Sequence, residues 1–233
     1  MLDIRATLPN ETTLATLLDY HGLVRDRFPM KQDRLLQTLE FQLMPSLQAK
    51  PPAQTLNGYL FCSEDKTRIV QPRLDGFTFN RLRPYDNWKA FRGEARELWE
   101  KYQALAKPIS ISQVGLRYIN RIELRLPFND VRGYFKIFPD IPPKIPQGVS
   151  QFFMRTAVSE PSASATAWIT LALEPFGPEA KSASFIFDIE AISHIQPQPS
   201  DEQLLWTCVE TLRDIKNRVF FESITEDTKA LFR

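Results

Sequence analysis

The sequence predicts an α+β fold, with helices packed on antiparallel sheet, arranged as a tandem duplication of one module: strand, helix, several antiparallel strands, long helix. Three observations predict it. Short runs of period-two alternation are bounded by turn-like residues, the signature of strands joined by tight connections. Two long amphipathic stretches each carry a tryptophan, Trp99 and Trp206, near their middle. Matched landmarks also recur in the same order. Leu8-Pro9, Phe28-Pro29, the run Phe77 to Asn80 and Trp99 correspond to Leu126-Pro127, Phe138-Pro139, the run Phe185 to Asp188 and Trp206. A near-constant displacement over several landmarks points to internal repetition. The modules are expected at 1–108 and 109–233, with Pro108 ending the preceding helix. Together they would form one pseudo-twofold unit with a groove between them.

The elements follow in chain order. A short strand runs from Leu2 to Leu8. Residues 12–25 place Leu14, Leu17, Leu18, His21 and Val24 near one helical face. Residues 35–43 alternate as a strand with Leu35, Leu39, Phe41 and Leu43 inward, and 57–63, 67–72 and 76–82 continue the sheet. A helix over 87–106, N-capped by Asp86, carries the stripe Trp88, Phe91, Ala95, Leu98, Trp99, Tyr102 and Leu105. In the second half, 115–126 is the clearest strand, with Leu116, Tyr118, Asn120, Ile122 and Leu124 on one face and Arg117, Ile119, Arg121, Glu123 and Arg125 on the other. A short helix near 130–137 and a proline-rich loop precede strands at 150–159, 165–174 and 183–191. The helix 201–219 and a short terminal helix, opened by a capping box starting at Ser223, close the chain.

Composition narrows the function classes. Hydrophobic residues make up 43% and charged residues 24% of 233, ordinary values for a globular protein with a substantial core. Two cysteines supply no disulfide framework, and no apolar run approaches the ~18 residues of a membrane span. The expectation is a soluble, cytoplasmic protein with no membrane association and no cofactor. A net charge of +1 argues neither for nucleic acid nor for a membrane surface. The exception is local: residues 81–125 hold ten Lys/Arg against five acids.

Catalytic patterns are missing. His21 and His194 are far apart, and eight scattered glycines form neither a phosphate loop nor a nucleophile elbow. Asp188 and Glu190 sit two apart on one strand, a spacing that suits Mg²⁺ as well as an ordinary solvated face. Arg81 follows Phe77 and Phe79 in period two, so its stem starts from the core side and its guanidinium needs an acceptor. With Tyr85, Arg117, Asn120, Arg121 and Lys216 it makes a candidate lining for an anionic ligand. The competing reading, which the residue types favour, makes them structural ion pairs, a buried amide and a helix-terminal cation.

Three stretches carry a resemblance: Phe77 to Phe91 (FTFNRLRPYDNWKAF), Gly115 to Glu123 (GLRYINRIE) and Leu212 to Phe232 (LRDIKNRVFFESITEDTKALF). They resemble the signatures of a sporadically distributed bacterial family of unknown function, covering nearly the whole chain. The resemblance singles out Arg81, Pro84, Tyr85 and Trp88, then Arg117, Tyr118, Asn120 and Arg121, then Lys216, Asn217, Phe220, Ser223 and Thr225. It implies no reaction. The family's patchy distribution suits mobile or defence-related elements, and its members begin with a longer first strand than Leu2 to Leu8.

The expectation is a non-enzymatic protein whose inter-module groove holds a small anionic ligand or a partner protein. Nucleic-acid binding or metal-dependent processing is the alternative, through the basic segment with Tyr85, Trp88 and Tyr118 as stacking rings.

Overall fold

A computed structural model describes residues 1–38, 53–128, 130–146, 148–177 and 179–232. The fold is α+β, with helices packed on antiparallel sheet. The chain divides into two compact units, Met1–Gln113 with Gln196–Glu202, and Val114–Ile195 with Gln203–Arg233.

The first unit contains strands β1 (Leu2–Thr7), β2 (Met30–Thr38), β3 (Ala53–Cys62), β4 (Arg68–Arg73) and β5 (Gly76–Arg81), and helices α1 (Leu14–Val24) and α2 (Trp88–Ala106). Strands β2 to β5 form an antiparallel meander, and β1 adds beside β5. Alternation decides which face is covered. Leu2, Ile4, Phe61, Val70, Phe77 and Phe79 are fully buried on the helix side. The α2 stripe meets them there: the Phe79 and Phe91 rings stack at 5.3 Å, and Phe77 meets Trp99 edge-on at 5.7 Å. Tyr20 of α1 stacks on Phe61 and donates its hydroxyl to the Leu98 carbonyl at 2.9 Å, tying the two helices together.

Three expectations need correction here. Asn87, not Asp86, caps α2, its side chain accepting from the Ala90 N–H at 2.9 Å, while Asp86 accepts from Arg81 instead. The second strand begins at Met30 rather than Leu35. A register shift falls between Arg34 and Leu35, and Leu35 is exposed rather than inward. Leu39, Phe41 and Leu43 lie outside the described residues.

The second unit contains most of β6 (Ser110–Arg125), then β7 (Phe152–Glu160), β8 (Ala165–Leu173), β9 (Ser182–Ser193), α3 (Glu202–Ser223, in this unit from Gln203) and α4 (Glu226–Ala230). Strands β7, β8 and β9 form a meander and β6 adds beside β9. Each unit therefore sets its leading strand against the last strand of its meander and follows with a long helix. Where the first unit has α1, the second has only a 3-10 turn at Val131–Gly133, in place of the helix expected near 130–137. Ser223 still belongs to α3, and the cap of α4 is Thr225, whose hydroxyl accepts from the Thr228 N–H. A core of Ile122, Leu124, Phe135, Leu171, Phe185, Phe187 and Ile189 fills the covered face, closed by Val219 and Phe220 of α3.

Candidate functional site on the open sheet face

Period two puts the even residues of β9 opposite its buried odd ones. Asp188 and Glu190 therefore leave the core face that Phe185, Phe187 and Ile189 occupy. Directly paired residues share a face. One cross-strand row is Arg117, Glu190, Trp168 and Ala157, and the next is Ile119, Asp188, Thr170 and Arg155. On this face a cavity of about 180 Å³ is lined by Arg117, Phe153, Arg155, Trp168, Thr170, Asp188 and Glu190.

Its charges are largely matched internally. Arg117 donates from Nε to both Asp188 oxygens at 2.9 and 3.1 Å and from Nη2 at 2.6 Å, a two-pronged contact. Hydrogen bonding to Asp188 holds the Arg117 pKa above its ordinary value, against the opposing effect of burial. Arg155 is held more loosely. Its guanidinium lies 4.6 Å from the Trp168 ring centre and 3.9 Å from a Glu190 oxygen, with half of the side chain exposed. Phe153 is 73% exposed beside it.

The other predicted residues are distributed as follows. Arg81 and Tyr85 belong to the first unit. Arg81 Nη2 donates to Asp86 at 2.8 Å, and the half-exposed Tyr85 ring lies 6.4 Å from Phe91. Arg121 points to the same face as Arg117 but engages Ser184 at 3.0 Å and Glu174 at 3.1 Å, outside the cavity. Asn120 is on the covered face and donates to the Phe187 carbonyl at 3.1 Å. Lys216 of α3 lies over the Tyr118 ring with Nζ 3.8 Å from its centre. Burial, then the charge of Arg213, lower the Lys216 pKa to about 8. His21 contacts the Phe28 carbonyl and stacks on Phe61, and His194 contacts the Thr166 hydroxyl.

Of the predicted set, the cavity thus gathers Arg117, Asp188 and Glu190. Phe153, Arg155, Trp168 and Thr170 were not singled out from sequence. The available signal was the alternation of Thr166, Trp168 and Thr170 with Ala165, Ala167, Ile169 and Leu171, which sets Trp168 off the core face. No group of three or more His, Cys, Asp or Glu side chains among the described residues is arranged to hold a metal ion. No helix among them is long and apolar enough to cross a membrane.

A second cleft of about 270 Å³ is lined by neutral groups, including Ser164, Ser193, Ile195, Leu204, Thr207 and Cys208. Both of its threonine hydroxyls are already spent: Thr207 donates to the Gln203 carbonyl at 2.7 Å and Thr211 to the Thr207 carbonyl at 3.0 Å. Neither family models nor curated proteins nor solved structures give a match to this chain.

Proposed function

We propose that this protein is a non-enzymatic binding protein that takes a small anionic ligand on the open sheet face of its second unit. The observation that carries the reading is Arg155, a loosely held cation lying over the Trp168 ring at the wall of a 180 Å³ cavity. A ligand with an anionic group and a flat body would pair with Arg155 and rest against Trp168 and Phe153. Arg117, already gripped by Asp188, would serve as a fixed floor rather than as the binding cation. The corresponding order of strands in the two units supports the repeated-module reading. Cys62 and Cys208 are buried thiols that form no disulfide, which suits a cytoplasmic location.

The test is calorimetric titration of nucleotides and small carboxylate and phosphate metabolites against wild type, Arg155→Gln and Trp168→Ala. A ligand is expected whose affinity falls about tenfold or more in each variant, the equivalent of ~1.4 kcal/mol. Absence of any ligand, or one indifferent to both substitutions, would sink the reading.

The exposed Phe153 and the Arg155–Trp168 pair also favour a second reading, a platform for single-stranded nucleic acid. Such binding would weaken steeply with salt. An oligonucleotide isotherm that is flat, or unmoved by salt, removes it.

A further inference from the structure

The first unit carries a separate feature on the sheet face opposite its helices. The strand registers align Arg34 of β2 with Gly58 of β3, Gly58 with Arg73 of β4, Arg73 with Gly76 of β5, and Gly76 with Arg5 of β1. Residues paired this way share a face, so three arginines stand in one cross-strand row with a glycine between each two. Neighbouring arginines are two strands apart, roughly 10 Å at Cα. The glycines themselves put no side chain into the row. Arg73 uses that space: its Nη2 lies 3.0 Å from where a Gly76 Cβ would stand.

Arg73 is held rigidly and incompletely. Its side chain is 7% exposed, Nη1 donates to Asp3 at 2.9 Å, and Nε lies 3.1 Å from Asp75. Asp3 also accepts from the Thr78 hydroxyl at 2.6 Å, and Asp75 accepts from the Asn57 amide at 3.0 Å. Arg73 Nη2 and Nε are nevertheless buried with no hydrogen-bond partner among the described residues, although Nε is ion-paired with Asp75, and Arg34 Nη1 is buried without one too. Arg5 comes no nearer than 3.8 Å to Asp3. Among the described residues, three guanidiniums thus face two carboxylates, Asp3 and Asp75. Burial, then the nearby charge of Arg73, lower the Arg34 pKa, as expected for cations crowded without a full set of anions. Buried N–H groups without acceptors are costly, and costlier still on a charged group.

We propose that Arg34, Arg73 and Arg5 form a binding site for a single oxyanion group, a carboxylate or a phosphate borne by a small ligand. One such group bridging Arg34 Nη1 and Arg73 Nη2 would satisfy those two donors and balance the excess of guanidiniums over carboxylates among the described residues. Asp3 and Asp75 act as positioning residues, fixing the Arg73 fork before the ligand arrives. The site shares no residue with the second-unit cavity and does not depend on the function proposed for it.

The experiment follows the thermal midpoint of the full chain against rising inorganic phosphate and, separately, acetate, with sodium chloride holding ionic strength constant. Arg34→Gln is the informative variant, because Arg34 takes no part in the ion pairs that hold Arg73; circular dichroism checks its fold. Wild type is expected to show a saturable rise with at least one anion, and Arg34→Gln to lose most of it, with apparent affinity at least tenfold weaker. Arg34→Lys, which keeps the charge and loses the fork, should fall between. A larger rise with phosphate than with acetate identifies the phosphate class, and the reverse the carboxylate class. No saturable rise with either anion, or a rise unchanged in Arg34→Gln, overturns the proposal. A rise lost in Arg155→Gln but kept in Arg34→Gln places the anion in the second-unit cavity and overturns it equally.

Discussion

Arg117 grips Asp188 across the β6–β9 ladder from a diagonal position, since its direct partner in register is Glu190. The reach brings the Nε–Nη2 edge of the guanidinium onto one carboxylate that is only 14% exposed. Asp188 is thereby committed to a cation. Asp188→Asn should lower stability in urea by about 1 kcal/mol, a modest figure because Arg117 remains open to solvent. Mg²⁺ or Mn²⁺ should leave the thermal midpoint of both proteins unchanged. A saturable rise with either metal, abolished by Asp188→Asn, would restore the metal reading of the Asp188–Glu190 pair.

Lys216 gives the chain a distinctive alkaline response. Its folded pKa is lowered to about 8, first by burial and then by Arg213, from an ordinary value of 10.5. Between those values the unfolded chain holds the proton that the folded chain has released. Unfolding then takes up a proton, so this group makes stability rise with pH from about 8 to about 10.5. Below that window both states are protonated and the full cost of burying the charge is present. Lys216→Met should therefore stabilise the protein near pH 7 by roughly 1–2 kcal/mol after loss of the Tyr118 contact. The advantage should shrink as pH rises to 10. Urea titrations at pH 7 and pH 9.5 on both proteins isolate the effect. A constant difference across that range would contradict it.

How much of this was legible depends on what each element shows in one dimension. Strand β6 displays its two faces in sequence, because Leu116, Ile122 and Leu124 alternate with charged neighbours and are buried as the pattern implies. The α2 stripe is equally plain, since Phe91, Ala95, Leu98, Trp99 and Tyr102 repeat at helical spacing and all are buried. The first part of β2, Met30 to Arg34, is polar at most positions and carries no apolar alternation, so Arg34 was invisible as a strand residue. The Arg155–Trp168 pair and the arginine row need the register between strands, which composition and periodicity do not encode. Asp86 and Asn87 are both good capping residues. In the structure Asn87 takes the cap and Asp86 pairs with Arg81.

Gly76 should tolerate no side chain. Its φ of +139° lies where L residues are strained, and a Cβ would stand 2.1 Å from the Ile4 carbonyl oxygen. The obstacle is backbone of the neighbouring strand β1, which cannot give way without breaking the β1–β5 pairing. Gly76→Ala should cost roughly 3 kcal/mol from conformational strain and the clash. A midpoint in urea within experimental error of wild type would show that β1 and β5 can part to admit a methyl group.

Phe135 should be the most costly ring to remove from the second unit. It is fully buried, with Phe185 at 5.1 Å and Phe187 edge-on at 6.2 Å. The segment that carries it is also the anchor for the C-terminal end: Phe135 bridges to Ile224, Thr225 donates to the Gly133 carbonyl at 2.6 Å, and Thr228 donates to the Tyr134 carbonyl at 2.6 Å. Phe135→Ala leaves a void against two aromatic rings and loosens the support of α4 at once. A loss of 3–5 kcal/mol is expected from the cavity alone. Hydrogen exchange separates the two effects, because faster exchange at Thr225 and Thr228 should accompany the lower midpoint. Global destabilisation with unaltered relative protection at those amides would mean that α4 is held by other contacts, and that the ring serves the core only.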